Sequence, residues 1–376
     1  MISEISPFVK FYGFLLLAGL IAACGTDEHD NEYDSIEAPE VELTHVFDIT
    51  DSDETMMSNI VDVQIASDEL ILLTDWQQSQ VHVYDDNGQY LHSFLGSGGG
   101  PGEVESMGQT LLTPDDQFFV LDFSTRSISQ FTRSSNEWNF ETRVALRDFF
   151  PSWYYPIDED SWLIHEAGTP WTVDEEDSLF VKQIDHDGDE LAELVGFPIG
   201  ELITIDGGGG PVSAMSPAYH PRNIFEFGDG YLIHNYSEHL AFTFYEIPSM
   251  EVTGSFHLER PAYPLSSETK EEYAGRFTDS QLPVDNIEQM IYDQMRDEKA
   301  VVRNFTYDST GYIWAQLHGE DGKHPWIILD KEGNVLANSI LEFDGGDLRT
   351  VHAGRVYIRS EDDSGLPMVE VYEYEI

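Results

Sequence analysis

The chain has 376 residues, of which 71 are Asp or Glu and 18 are Lys or Arg, so its formal net charge at pH 7 is −53. This charge repels polyanions and excludes a nucleic-acid-binding protein, while 41% apolar and 12% aromatic residues exclude a disordered acidic chain. An acidic, Lys-poor surface stays hydrated in concentrated salt, so we interpret the charge as salt adaptation, with a specific cation-binding role as the alternative.

Residues 1–23 are predicted to be a lipoprotein signal peptide. The apolar run at 11–23 is too short for a bilayer about 30 Å thick, which needs roughly 20 residues. The single cysteine follows this run, and the segment Ile21-Ala22-Ala23-Cys24 resembles the bacterial lipobox, in which the cysteine is lipidated. We therefore expect lipidation at Cys24 and anchoring in the cell envelope of a bacterium. The alternative is a secreted protein with a free thiol.

Residues 24–40 are predicted to be an acidic flexible tether. Positions 25–40 hold seven acids and no Lys or Arg, so the segment buries too little apolar surface to offset its ordering entropy. The lipobox cysteine is followed by Gly25 instead of the Asp that, in proteobacterial lipoproteins, favours retention in the inner membrane. We therefore expect the outer membrane as the final location.

Residues 41–376 are predicted to form an all-β domain, because short strands alternate with turns about every eight to twelve residues. Three hairpin turns share one pattern, in which a strand end is followed by an acid, two polar residues and a Gly; they start at Asp85, Asp185 and Asp330. This pattern favours hairpin turns over calcium loops, and in the segment 185–190 the Gly stands at the fourth position and not at the sixth that a calcium loop requires.

A second repeated unit is an apolar run that ends in a polar residue, and it occurs six times. Six copies predict a six-bladed β-propeller, with blades starting near residues 60, 107, 151, 222, 301 and 347. The last blade lacks a fourth strand, and the alternating segment 41–49 supplies it. Closure of the ring by the N-terminal strand removes exposed sheet edges.

Residues 261–300 interrupt the repeat between blades 4 and 5 and predict a short helical insertion. Thr269 to Glu272 and Asp285 to Glu288 have the form of capping boxes, and the apolar residues that follow share one helical stripe: Ile287, Met290, Ile291 and Met295. The insertion is interpreted as a lid over apolar surface, with a moving gate or a partner-docking element as the alternative.

The sequence has two glycine-rich segments, of which the first invites a phosphate-loop interpretation. The segment from Gly96 to Glu103 lacks the Lys and the Ser or Thr of a P-loop and precedes strands, so we interpret it as a tight crossing between blades. The run Gly207 to Gly210 is interpreted as a flexible surface loop. With its G-x-G-P-G-E form, the first segment resembles the six-bladed β-propeller lipoproteins of the Bacteroidota, and the repeat is similar to NHL-type and TolB-like propellers.

A candidate site is predicted on the channel. The polar residues that end the apolar runs are expected to form a ring around the axis: Asp75, Asp122, His165, His234, Gln316 and Arg359. Two Asp and two His in this ring are able to bind a divalent metal, or an Asp–His pair could act as a general base. The alternative is that all six only satisfy buried polar groups.

Two functions remain open on the sequence. The first is an envelope-anchored module that binds a protein, peptide or glycan, with the net charge favouring cationic or neutral ligands. The second is a metal-dependent enzyme of the lactonase, esterase or lyase kind with its site at the channel. No nucleophile elbow, HExxH motif or Cys–His pairing occurs in the sequence.

Overall fold

The computed structural model describes residues 38–376, except for 53, 147–148, 150, 159, 167–177, 208–210, 279–283, 285, 321–322 and 340–345. The predicted signal peptide, Cys24 and the tether up to residue 37 lie outside the described residues. Within the described part, every helix is too short to cross a bilayer.

The architecture is all-β, with six four-stranded antiparallel sheets arranged in chain order. The strand β1 (Glu42–Ile49) precedes the first complete blade. Blades 1 to 3 contain β2 (Ile60–Ile65), β3 (Ile71–Asp75), β4 (Gln80–Tyr84), β5 (Tyr90–Phe94), β6 (Met107–Leu112), β7 (Phe118–Asp122), β8 (Ser127–Ser134), β9 (Glu137–Ala145), β10 (Pro151–Pro156), β11 (Ser161–Glu166), β12 (Ser178–Asp185) and β13 (Glu190–Pro198).

The second half of the chain has an extra hairpin and two helices besides its blades. In chain order these elements are β14 (Ile203–Asp206), β15 (Pro211–Met215), β16 (Asn223–Gly228), β17 (Tyr231–Tyr236), β18 (Leu240–Glu246), β19 (Glu251–Leu258), α1 (Ser267–Gly275), α2 (Ile287–Gln294), β20 (Val302–Tyr307), β21 (Ile313–Leu317), β22 (Trp326–Leu329), β23 (Val335–Ser339), β24 (Asp347–His352), β25 (Arg355–Glu361) and β26 (Pro367–Glu375). The prediction of a six-bladed propeller is confirmed, and each blade begins within a residue of the predicted start.

The ring is closed by the N-terminal strand, as predicted. The strand β1 pairs antiparallel with β26 and becomes the outer strand of blade 6. The residues just before it already bond to blade 5, because the Asn338 amide donates to the Pro39 carbonyl and the Val41 amide donates to the Asn338 carbonyl. Among the described residues, hydrogen bonds to the propeller thus begin at Pro39, two residues before the predicted boundary at 41.

The core is divided among the blade interfaces. Among the described residues, six clusters of buried apolar side chains each lie between two neighbouring blades. The cluster between blades 4 and 5, for example, contains Phe242 and Phe305, whose rings meet edge to face at 5.0 Å. The first strands of the blades face the axis and form the wall of the central channel, and they contact one another between blades 1 and 2, 4 and 5, 5 and 6, and 6 and 1.

The three repeated turns are tight hairpins. Each opening acid accepts hydrogen bonds from the backbone of its own turn: Asp85 from Asn87 and Gln89, Asp185 from Asp189, and Asp330 from Glu332 and Asn334. Each turn glycine has a φ between 77° and 84°, a left-handed conformation that favours Gly. The hairpin interpretation of residues 185–190 is confirmed.

In the glycine-rich connection between blades 1 and 2, the side chain of Glu103 occupies the inside of the loop. The Glu103 side chain accepts a hydrogen bond from the Gly100 amide at 2.8 Å, and Arg143 donates to the carbonyls of Gly100 and Glu103. A Cβ atom at Gly98 would meet the same carboxylate. The segment is thus a folded crossing between blades, as predicted, in which a carboxylate occupies the loop.

We call the face that carries the connections between blades the upper face and the opposite one the lower face. The hairpin β14–β15 and the helices α1 and α2 lie in two of these connections and share a separate apolar cluster, so we call them the cap. In that cluster Ile203 and Ile205 of β14 pack with Ile291 of α2.

The helix α1 begins earlier than the sequence pattern predicts. The N-cap is Ser266, whose hydroxyl accepts a hydrogen bond from the Thr269 amide, so Thr269 lies within the first turn instead of capping it. The helix α2 begins after Asn286, which makes no side-chain cap, and the predicted cap Asp285 is not described. The hairpin β14–β15 was missed altogether. Of its connecting glycines, Gly208 to Gly210 lie outside the described residues.

Candidate functional site

The six residues predicted to ring the channel occupy equivalent places, one strand behind its wall. Each lies near the upper end of the second strand of its blade, opposite the beginning of the first strand. Their partners across the two strands are Ile60, Met107, Trp153, Phe225, Asn304 and Asp347 for Asp75, Asp122, His165, His234, Gln316 and Arg359, respectively.

The two Asp residues of this set accept hydrogen bonds from backbone amides. Asp75 accepts from the amides of Ser58, Asn59 and Gln78, and Asp122 accepts from those of Glu105, Ser106, Ser124 and Thr125. Burial acts to raise the pKa of both carboxyls, but these hydrogen bonds, with His82 beside Asp75, outweigh it and lower the pKa. Both groups are thus ionised anchors of the connection between blades.

The two His residues lie between blades 3 and 4. His165 Nδ1 lies 2.7 Å from the Ser152 hydroxyl, and His234 Nε2 lies 2.8 Å from the Asn223 side-chain oxygen. Burial lowers the pKa of each imidazole to about 4, and for His234 the proximity of His165 adds to the effect. Both rings are therefore neutral at pH 7 and pack among aromatic side chains.

Gln316 and Arg359 contact the beginnings of inner strands on blades 5, 6 and 1. The Gln316 side-chain oxygen accepts from Arg303 Nη1 at 3.1 Å. Arg359 donates to the Ile60 carbonyl and lies 3.9 Å from the Asp347 carboxylate. These two residues of the predicted ring therefore stabilise the positions of the residues at the upper end of the channel.

The channel itself is a cavity of about 980 Å³ that runs from the upper ends of the inner strands to the turns of the lower face. Of the six predicted residues, only His165 contributes to its lining. Among the residues that the structure describes, no group of three or more His, Cys, Asp or Glu side chains comes together as a metal site would require. The proposed metal ligands Asp75, Asp122, His165 and His234 accordingly hold different local partners.

One wall of the cavity is polar and comes from blades 1, 2 and 6. Asp62 accepts hydrogen bonds from the Thr110 hydroxyl at 3.0 Å and from the side-chain amide nitrogen of Gln64 at 2.8 Å. Gln109 and Arg349 line the cavity near them. Burial raises the pKa of Asp62, although its hydrogen bonds and the charge of Arg349 oppose the rise.

Blade 4 contributes a second carboxyl group to the cavity. Burial raises the pKa of Glu226 to about 8, and the charge of Asp62 acts in the same direction. At neutral pH this group is mostly protonated, so it is able to donate a hydrogen bond as well as accept one.

Aromatic side chains from blades 3 and 4 form the facing wall. Tyr155 and Phe227 stack at 4.8 Å, and Trp153 meets Phe227 edge to face at 5.2 Å. Trp153 also stacks on His165, with 5.5 Å between ring centres and 10° between planes. The cavity thus has an aromatic side and a polar side.

Several residues that line this cavity each have a buried polar atom that makes no hydrogen bond of good geometry. These atoms are Gln64 Oε1, Gln109 Oε1, Trp153 Nε1, His165 Nε2 and Arg349 Nε. Trp153 and His165 are only 4% and 3% exposed. Because buried polar groups nearly always find a partner, atoms on a shared cavity indicate that water or a ligand satisfies them.

Sequence reasoning missed the inner-strand residues because it selected the most regular polar position, which lies at the end of the second strand. The available signal was polar residues within otherwise apolar first strands. Asp62 and Gln64 stand in IVDVQI, Gln109 in MGQTLL and Glu226 in NIFEFG.

Comparisons with known proteins agree with this architecture. The model of a family described as a 6-bladed beta-propeller, DUF5128, matches residues 34–257. A Bacteroides fragilis protein described as exported is similar in structure, with a TM-score of 0.57 and 11% identity, over 89% of this chain and 96% of its own. A DUF4221 member from Bacteroides vulgatus has a TM-score of 0.55 and 10% identity, over 90% and 99%. No curated protein matches the chain.

Proposed function

This chain belongs to the DUF5128 family of six-bladed β-propellers, and we propose that it is an envelope-anchored binding module that takes a small polar ligand into its central channel. The observation that carries this proposal is the set of buried, unpartnered polar atoms on a cavity of about 980 Å³. Such a volume lies at the upper end of the range for small-molecule sites, which are about 300–1,000 Å³.

The chemistry of the two walls indicates what the ligand offers. Gln109 Oε1 accepts hydrogen bonds, whereas Trp153 Nε1 and Arg349 Nε donate them, so the ligand needs both donors and acceptors. The apolar rings of Phe225 and Phe227 line the same space. A ligand with a flat apolar side and several hydroxyl or amide groups satisfies both walls.

The binding test compares two Gln variants. Gln109→Leu removes a side-chain amide whose oxygen is buried and unpartnered, whereas Gln89→Leu makes the same change on an exposed turn of the lower face. We expect thermal-shift screening of short saccharides and peptides to identify a ligand whose affinity falls about tenfold in Gln109→Leu and is unchanged in Gln89→Leu. Equal affinity in both variants would place binding outside the channel.

The location proposal rests on the sequence and on the similar proteins from Bacteroides, one of which is described as exported. A signal peptide at 1–23, lipidation at Cys24 and a tether at 24–40 would hold the propeller at the outer membrane. Cys24→Ser is expected to release the protein from the membrane fraction. If the variant remains in that fraction, lipidation is not the anchor.

A hydrolase that uses a Ser–His pair, in place of the metal-dependent enzyme considered from the sequence, would draw on a single contact, between the Ser152 hydroxyl and His165 Nδ1. A general base works best when its pKa lies near the working pH, and the pKa of His165 is about 4. The same hydroxyl also donates to the His165 carbonyl at 3.1 Å, which suits a structural role. Turnover of the bound ligand, lost in Ser152→Ala, would favour a hydrolase over a binding module.

A further inference from the structure

Arginine is concentrated at the upper end of the channel. Four of the chain's twelve arginines lie on, or immediately before, the first or second strands of blades 4, 5 and 6 near this end: Arg222, Arg303, Arg349 and Arg359. This concentration is unexpected in a chain whose acids outnumber its Lys and Arg by 71 to 18. The channel mouth therefore contains a cluster of basic side chains in a chain whose net charge is strongly negative.

The four arginines fall into two pairs with different surroundings. On blade 6, Arg349 and Arg359 share the carboxylate of Asp347, at 2.8 Å and 3.9 Å. On blades 4 and 5, Arg222 and Arg303 have no carboxylate within ion-pairing distance among the residues that the structure describes. Arg222 Nη2 donates to the Arg303 carbonyl at 3.0 Å, and Arg303 Nη1 donates to the Gln316 side chain.

The unpaired arginines repel each other. Burial lowers the pKa of Arg222, and the charge of Arg303 lowers it further. The desolvation of Arg222 is partial, because both side chains reach solvent at the mouth, and Arg222 lines the cavity. Two neighbouring guanidinium groups with free N–H donors and no counter-charge are the arrangement that binds a carboxylate or a sulfate.

Two histidines add hydrogen-bonding groups without acidic partners near these arginines. His318 is 3% exposed and both of its ring nitrogens lack a partner, as does His324 Nδ1. Burial first, and then His324 and the charges of Arg303 and other basic groups, lower the pKa of His318 to about 3. Burial and the same Arg303 charge lower that of His324 to about 4. As neutral rings, each retains one N–H donor.

We propose that the upper end of the channel between blades 4 and 5 binds the anionic group of an acidic carbohydrate, through Arg222 and Arg303. The carbohydrate carries a carboxylate or a sulfate, and its ring lies against Phe225 and Phe227 farther along β16. This inference rests on the proposed channel-binding function and names the substrate class of that same site.

The position of the arginines along the strand supports a single continuous ligand. Arg222 immediately precedes β16, and Phe225, Glu226 and Phe227 follow on the same strand and line the same cavity. At about 3.3 Å per residue, the aromatic surface begins roughly 10 Å from the guanidinium-bearing residue, a span that one or two sugar rings fill. The amide of Gln109 and the carboxyl of Glu226 are then available for sugar hydroxyls.

Salt does not abolish such a site. In molar salt the Debye length is about 3 Å, so the distant acids that produce the charge of −53 are screened at the mouth. Direct contacts between a guanidinium group and a bound anion are shorter than this length and persist. The recognition of an anion by a strongly acidic protein is thus governed by the residues it touches.

The test measures binding of matched sugars to the full chain by calorimetry. The pairs are digalacturonate with digalactose, and a sulfated with an unsulfated disaccharide of N-acetylglucosamine. We expect the acidic member of at least one pair to bind about tenfold more tightly. Arg222→Gln and Arg303→Gln are each expected to remove this preference, whereas Arg355→Gln, a change of equal charge beside Glu373 at the lower end of β25, is expected to keep it.

Each result bears on the proposal in a defined way. Binding of neutral and acidic sugars with equal affinity overturns the anion site and leaves the channel-binding function standing. No binding of any sugar overturns the anion site, and failure of the wider ligand screen as well overturns the channel-binding function. Arg303 is exposed, so Arg303→Gln is not expected to change the melting temperature. If this variant melts as the wild type does and still prefers the acidic sugar, the anion site is also overturned. Loss of preference in Arg355→Gln would show a general charge effect instead of a site.

Discussion

At the scale of single residues, the channel contains acids and amides whose environment differs from that of the surface acids. Glu226 lies on an inner strand with its pKa raised to about 8 by burial and by the charge of Asp62. In contrast, Asp75 and Asp122 are held ionised by backbone amides. Carboxyl groups of one chain thus serve as a neutral group in the channel and as charged anchors behind it.

Glu226→Gln is expected to stabilise the protein at high pH. The raised pKa means that the folded state holds a proton between about pH 4.5 and 8 that the unfolded state has lost, so stability falls as pH rises through this window. The neutral amide removes that loss, and we expect a gain of about 1–3 kcal/mol at pH 9 and little at pH 4. Thermal denaturation at both pH values measures it, with Glu251→Gln on an exposed strand as control. A gain that does not depend on pH would contradict the ionisation argument.

Gly98→Ala is expected to destabilise the crossing between blades 1 and 2. Gly98 has a φ of 147°, and an added Cβ would meet the Glu103 carboxylate that fills the loop. We expect a loss of about 1–3 kcal/mol in the free energy of unfolding. Gly96→Ala is the matched control, since nothing lies within 4 Å of a Cβ at that position. Equal stability of the two variants in urea denaturation would show that the loop does not constrain the glycine.

At the scale of elements, the sequence predicted what repeats and missed what occurs once. The starts of all six blades followed from the spacing of apolar runs and of turns such as Asp85 to Gly88, because each blade repeats the same local physics. The hairpin β14–β15 has alternation over only four residues, Ile203 to Asp206, which is too short to stand out. The channel-lining residues vary from blade to blade, so no repeat indicates them.

The cap is expected to have a stability of its own. Ile291 is fully buried in the apolar cluster that β14 shares with α1 and α2, which is separate from the six clusters between blades. We expect Ile291→Ala to cost about 2–4 kcal/mol locally and to raise amide hydrogen exchange in the cap while the blade strands stay protected. Gln289→Ala, on the exposed side of α2, is the control. A uniform rise across the blades would show that cap and propeller unfold together.

At the scale of the whole molecule, the net charge is −53, yet four of the twelve arginines concentrate at the channel mouth. Repulsion among the acids opposes compaction, and added salt screens it. The melting temperature is therefore expected to rise steadily from low salt to 2 M NaCl, and NaCl alone is expected to be sufficient for the effect. A melting temperature that falls over this range would contradict salt adaptation and favour the cation-binding alternative.

If the channel holds the ligand, the indole N–H of Trp153 reports its binding directly. Its Nε1 is buried, unpartnered and on the cavity, whereas Trp76 is 52% exposed and its Nε1 donates to the Met107 carbonyl. In a nitrogen–proton NMR spectrum, with signals assigned by Trp153→Phe and Trp76→Phe, addition of the sugar that binds most tightly is predicted to shift the Trp153 signal and leave that of Trp76 in place. Saturating binding that leaves the Trp153 signal unmoved would contradict the account.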